Sequence, residues 1–320
     1  MKILITGVAG MLGSHLSELL LNKKYKVIGI DNLLVGKISS LSNCINNKNF
    51  FFYKFDVRKK TKLEKLSKNC DAIIHLAAVK KVSESQSSFD TLDVNINSTR
   101  YILDIAKKYK IKVIFASTSD VYGTSNKIPF NEKQDIVLGQ SLAKRWSYAV
   151  SKLYCEHLCY CFYKDFKVDI TILRYFGGFS EKSSFTWSGG HIPIFIKQLK
   201  NNEKITIHGD GKQTRSMGHA SDLAYGTYLA LKSKKTNGKI INIGNNEEQT
   251  VFNTLKLIAK ELGINLKKRK IKFIPEKKIF GNYKDIRRRK PDLSLAKKIL
   301  GYKPKIKLKD AIRMVLNNMK

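Results

Sequence analysis

The chain has 320 residues, 42% hydrophobic and 27% charged, which suits one large folded unit or two sharing an interface and excludes a disordered or fibrous chain. No run approaches 18 consecutive apolar residues, so neither a membrane span nor a membrane partner is expected. The formal net charge of +34 raises nucleic acid as a partner, but lysines fall in nearly every segment rather than along one stripe, so none is expected; the densest runs are Lys267-Lys268-Arg269-Lys270 and Arg287-Arg288-Arg289-Lys290.

Residues 2–6 already read as a strand, leaving no room for a secretory leader, and a cytoplasmic location is expected. A glycine loop and a helix at 11–21 follow, then strands at 25–30, 50–55 and 72–76, a helix at 91–109, a strand at 112–117, a helix at 147–163 and a strand at 169–174. This alternation predicts an α/β fold, a Rossmann-type doubly wound parallel sheet. Beyond it the rhythm breaks: helices are expected at 192–200, 221–232 and 251–262, a strand at 239–243, and loops at 187–190, 208–211 and 281–283. The division expected is a dinucleotide-binding domain over 1–176, joined again by 220–245, and a smaller α+β substrate domain over 177–320. Cys155, Cys159 and Cys161 sit at helical spacing in an aromatic-rich run and read as reduced core residues; no cysteine pair suggests a metal.

Gly7, Gly10 and Gly13 leave the first strand and open the first helix. Such glycines permit a tight turn, backbone approach to a pyrophosphate and close helix–strand packing, and the helix N-terminus supplies N–H groups to the phosphates. Asp31 closes the second strand, 18 residues after Gly13, where a carboxylate accepts from the adenosine ribose and repels a 2′-phosphate. NAD is therefore expected rather than NADP.

Tyr148 and Lys152, four residues apart, share one helix face. Ser117-Thr118-Ser119-Asp120 leaves a predicted strand at the sheet's C-terminal edge, where open α/β folds assemble their sites. A phenol with a pKa near 10 is a poor base at neutral pH; the Lys152 ammonium and a cationic nicotinamide are expected to favour its phenolate. Thr118 then hydrogen-bonds the substrate oxygen that Tyr148 deprotonates.

The glycine loop, Asp31-Asn32, Asp56-Val57, His75-Leu76-Ala77-Ala78, Asn95, Ser117-Thr118-Ser119-Asp120-Val121-Tyr122-Gly123 and Tyr148/Lys152 together resemble the extended short-chain dehydrogenase/reductases that modify nucleotide sugars. The resemblance covers essentially the whole chain. It implies that Gly7, Gly10, Met11, Leu12, Gly13, Asp31, Asn32, Asp56, Val57, Leu76, Ala77, Ala78, Lys80, Asn95, Tyr148, Lys152 and Phe176 surround NAD, with Asp56 and Val57 flanking the adenine. It implies that Thr118, Tyr148 and Lys152 are catalytic, that Asp120, Arg215 and Arg289 meet the substrate, that no metal takes part, and that the enzyme is a homodimer.

Members of this family share oxidation at C4 and diverge afterwards. A dehydratase carries an acidic pair after the catalytic Thr; here those places hold Ser119 and Asp120. A UDP-glucuronate decarboxylase carries Glu where this chain has Asp120, although the stretch from Leu138 to Tyr148 resembles the bacterial decarboxylases. Val79-Lys80-Lys81-Val82-Ser83-Glu84-Ser85 resembles the UDP-galactose 4-epimerases. The reading favoured is a 4-epimerase acting on a UDP-hexose, with decarboxylase or dehydratase as alternatives. Outside the enzyme class stands a silent NAD-binding module, disfavoured because Thr118, Tyr148 and Lys152 are all present. Three departures mark the family pattern: Gly177 replaces an Asn, the Pro-Arg that usually follows is absent, and Gly218-His219 in the stretch before Asp222 is unusual.

Overall fold

The structure, a computed structural model, describes residues 1–80, 88–185, 190–280 and 285–318. The loops expected at 187–189 and 281–283, and residues 81–85 of the epimerase-like segment, lie outside them.

Seven parallel strands form the central sheet: β1 (Lys2–Thr6), β2 (Lys26–Asp31), β3 (Phe50–Lys54), β4 (Ala72–His75), β5 (Lys112–Thr118), β6 (Ile170–Tyr175) and β7 (Lys239–Ile243), in the order β7-β6-β5-β4-β1-β2-β3. The chain runs outward from β1 in one direction through β2 and β3, then crosses back to β4. The crevice at that switch, beyond the strands' C-terminal ends, is where such sheets bind ligands. Ile3, Leu4 and Ile5 are fully buried, as a strand covered on both faces requires. Helices Met11–Asn22 and Ala220–Lys232 cover one face, and helices Ser88–Tyr109 and Trp146–Phe166 the other. A separate core gathers helices His191–Lys200, Val251–Glu261 and Leu308–Asn318 over the paired strands Ile205–His208 and Ile271–Ile274.

The expected strands all form, shifted by a residue or two at their ends. The helix Leu308–Asn318 was not anticipated, although its buried residues Leu308, Ala311, Ile312 and Val315 follow helical periodicity. Helix Lys60–Ser67 gives a weaker signal, because only Leu63 and Ser67 are buried among its lysines. Cys155 and Cys159 are buried, but Cys161 is exposed: two residues turn a helix by roughly 200°, which carries it to the opposite face. The basic run is not an open patch. Arg287 pairs with Asp210, Arg288 with Glu248 and Arg289 with Asp120. No helix among the described residues is long and apolar enough to cross a membrane.

One buried ion pair fixes the helix Trp146–Phe166 against the sheet. Glu156 accepts two bonds from the Arg174 guanidinium of β6, at 2.9 and 2.7 Å, and a third from the Ser117 hydroxyl of β5. Both charged side chains are 3% exposed. Removing one partner leaves an uncompensated buried charge, so Glu156→Gln should lower the unfolding free energy by about 3–5 kcal/mol in urea titrations. Unchanged stability would remove the pair from this role.

Candidate active site

β1 ends at Thr6, and the chain turns through Gly7 at φ 72°, a left-handed conformation that glycine adopts without strain. A Cβ there would stand 2.8 Å from the Ala77 backbone nitrogen, and one on Gly13 only 2.3 Å from the Gly7 carbonyl oxygen. Backbone therefore fills both places where a side chain would go. Helix Met11–Asn22 starts at Gly10 with no side-chain cap and no acidic residue in its first turn. Its N-terminal N–H groups are thus left for an anion.

The Asp31 carboxylate accepts the Ala9 N–H at 2.9 Å and the Leu33 N–H at 2.8 Å, which ties the end of β2 to the glycine loop. Burial raises its pKa, while these backbone bonds oppose the rise. A carboxylate has about four acceptor sites, so capacity remains toward the adjoining cavity of about 190 Å³. Asn32, Asp56, Val57, Leu76, Ala77 and Ala78 line the same cavity. It shares Gly7, Gly10, Leu76 and Ala78 with a larger cavity of about 560 Å³, so the two are contiguous across the glycine loop. The larger one is also lined by Met11, Leu12, Gly13, Lys80, Tyr148, Lys152 and Phe176. Asn95 lines neither. Its amide accepts the Val79 N–H at 2.8 Å and donates to the Val79 carbonyl at 3.1 Å and the Ser151 hydroxyl at 2.9 Å. It braces the cofactor wall from behind instead of facing the cavity.

At the other end of the trough, Thr118 finishes β5 opposite Tyr148 and Lys152, and its hydroxyl hydrogen-bonds the Tyr148 phenol. Lys152 donates to the Ala116 carbonyl at 2.8 Å. Burial lowers the Lys152 ammonium to about 8. The expectation that Lys152 favours the phenolate is not met in the protein alone. Burial raises the Tyr148 phenol, the Asp120 charge raises it further, and the opposing influences are the Thr118 hydrogen bond and the Arg145 charge.

Asp120 does not reach the cavity either. It is 2% exposed and sits among Arg289, Lys80 at 3.4 Å and Arg145 at 3.9 Å. Burial opposes its ionisation, but these three cations hold its carboxyl well below the usual range. It holds the cavity-lining cations Arg289, Lys80 and Arg145 together. Arg145 was not singled out from the sequence; it directly precedes the helix that carries Tyr148.

Arg289, beside Asp120, and Arg215 also line this cavity. Arg215 is held by Asp285 at 2.5 Å and by the Thr214 and Ile286 carbonyls at 2.8 Å each. His191, His208 and Gln213 join them there without having been anticipated. Burial lowers His191 to about 3 and His208 to about 4, which makes both neutral near pH 7. The departure at Gly177 has a local reason: a Cβ there would lie 2.4 Å from the Met217 sulfur, so Met217 occupies the space a side chain would take.

A switch-point sheet with a glycine cradle, a cavity-lining carboxylate at the end of its second strand and a Thr-Tyr-Lys group define a dinucleotide-dependent short-chain dehydrogenase/reductase. The GDP-mannose 4,6 dehydratase family model matches residues 4–315, and the chain belongs to this family of extended short-chain dehydrogenase/reductases. Over 98% of its length it is 32% identical to 95% of a UDP-N-acetyl-alpha-D-glucosaminuronate decarboxylase from Bacillus cytotoxicus. The crystal structure of a UDP-glucuronic acid 4-epimerase from Bacillus cereus, with UDP-glucuronic acid and NAD, covers all of this chain and 99% of its own at 31% identity and a TM-score of 0.89. A UDP-glucose 4-epimerase from Thermotoga maritima, solved with UDP-glucose, matches 99% of this chain and 98% of its own at 26% identity and a TM-score of 0.87.

NAD fits the trough. Denatured protein should release NAD(H), not NADP(H), and Asp31→Ala should bind NADP alongside NAD because the repulsion of a 2′-phosphate is gone. Recovery of mainly NADP from the unsubstituted protein would contradict this assignment of Asp31.

Proposed function

We propose that the protein is an NAD-dependent nucleotide-sugar 4-epimerase acting on a UDP-hexose. The observation that carries this reading is the pairing of Thr118 with Tyr148 at the cavity wall, while the neighbouring carboxylate, Asp120, is withheld behind Arg289, Lys80 and Arg145. Epimerisation needs one proton-accepting group beside C4 and space for the sugar to turn. Dehydration needs a further acid and base, which Ser119 and the enclosed Asp120 do not supply.

NAD, held in the trough, would supply the hydride acceptor and donor for C4. Gly7, Gly10 and the start of helix Met11–Asn22 hold its diphosphate, and Asp31 the adenosine ribose. Lys152 sits beside Tyr148 and brings positive charge to the reaction end. Thr118 orients the C4 hydroxyl; Tyr148 takes the proton of that hydroxyl and returns it to the same oxygen once the sugar has turned its other face toward the cofactor site. Burial disfavours the phenolate, so a substrate cation-rich surround is part of what the reaction requires. Arg215 and Arg289 offer paired donors to phosphate oxygens.

A second reading, decarboxylation of a UDP-hexuronate, is favoured by the cations Lys80, Arg145 and Arg289 near the reaction end. Against it stands the shorter Asp120, already neutralised by those same cations. Exposed Val150 and Tyr154, at i and i+4 on the helix that carries Tyr148, support a homodimer through that helix.

Incubated with UDP-glucose, its N-acetyl analogue and UDP-glucuronate, the enzyme should give 4-epimers without net NADH and with no carbon dioxide. Steady release of carbon dioxide with a UDP-pentose would overturn the epimerase assignment. Tyr148→Phe should keep fold and bound NAD yet lose activity on the order of 10²–10⁴-fold. Full activity of that variant would exclude Tyr148 as the proton acceptor.

A further inference from the structure

We propose that His15, Glu181 and His219 form a zinc-type divalent cation site that pins the helix after the glycine loop to the two chain segments crossing over it. The three residues come from distant parts of the sequence. His15 lies on helix Met11–Asn22, one turn beyond Met11. His219 ends the short strand Gly218–His219, which pairs in parallel with Gly178–Phe179 and so brings Glu181, two residues past Phe179, alongside.

The Nε2 atom of His15 is 3.4 Å from one Glu181 oxygen, and Nε2 of His219 is 3.6 Å from the other. Both Nε2 atoms are enclosed, and neither has a hydrogen-bond partner. One ligand atom from each of the three residues lies within 4.8 Å of the other two. These separations exceed the roughly 2.7–3.2 Å of an N–H···O bond. The two histidine–carboxylate separations, 3.4 and 3.6 Å, suit ligands on a common ion: tetrahedral bonds of about 2.0–2.1 Å place neighbouring donors about 3.4 Å apart.

The surroundings agree. His219 Nδ1 is 2.7 Å from the Ser221 hydroxyl, and when that nitrogen carries the proton and donates it, the Nε2 lone pair is left for a cation. An outer hydrogen bond of this kind commonly orients a metal-bound imidazole. The Ser221 N–H, 3.3 Å from the same Nδ1, favours the other tautomer, and a cation on Nε2 would decide between them. The nearest lysine, Lys182, is ion-paired with Glu18. Two imidazoles and one carboxylate match zinc better than magnesium or calcium, which prefer oxygen ligands throughout. None of the three residues lines the two cavities, so the ion's role is to hold structure. It would hold the segment that also touches the glycine-loop helix through Ser183 and Met11.

Full-length protein, stripped with a chelator, would be titrated with zinc by calorimetry. One equivalent should bind and raise the melting temperature. Glu181→Gln and His219→Gln should each weaken binding about 100-fold or more, since loss of outer-shell partners alone costs 10–100-fold. Cobalt added to the unsubstituted protein needs no variant to fold: it should give the absorption of a four- or five-coordinate nitrogen–oxygen site with no thiolate charge-transfer band. Absence of saturable zinc binding, a thiolate band, or variants that bind as tightly as the unsubstituted protein would each overturn the site.

Discussion

The buried Glu156–Arg174 pair governs the geometry on which everything else rests. Glu156 lies one turn beyond Lys152 and two beyond Tyr148, and it is bonded to Ser117, the residue before Thr118. The two elements that must present their hydroxyls to one substrate oxygen are therefore tied at adjacent positions. Two charges taken out of water are costly, and the geometry has to be good to offset that. Here Glu156 receives three donors. This constraint sets the spacing between helix and strand that chemistry at one oxygen requires, since a misplacement of about 1 Å can cost on the order of 10²-fold.

Charge is organised by the same logic at the cavity wall. In a chain with a net charge of +34, three consecutive arginines each meet a different carboxylate, and one of them, Arg289, lines the cavity. Asp120 gathers Arg289, Lys80 and Arg145 around one enclosed carboxylate, and Asp285 holds Arg215. The acids position cations that line the cavity, so its wall is positive and its charges are held in place by ion pairs.

Much of this was legible in the sequence because backbone and periodicity carry it. The strands, the glycine loop and Asp31 follow from local pattern, and Gly7 and Gly13 are needed for reasons a sequence can state. The protein partners of Asp120 and Asn95 are not legible in the same way. Whether a polar side chain faces a cavity or braces it depends on partners such as Arg289 or Val79, which only the fold brings near. The Gly177 departure likewise became intelligible only with Met217, 40 residues away, seen in the vacated space. His15, Glu181 and His219 carry no spacing motif and meet solely through tertiary packing.

The central claim is that a hydrogen leaves C4 and returns to C4 within one enclosed cavity. Its most direct test uses UDP-glucose carrying deuterium at C4, with the product analysed by mass spectrometry and NMR. The account predicts a galacto epimer that retains the deuterium at C4. Loss of the label to solvent, or its appearance on another carbon, would contradict it.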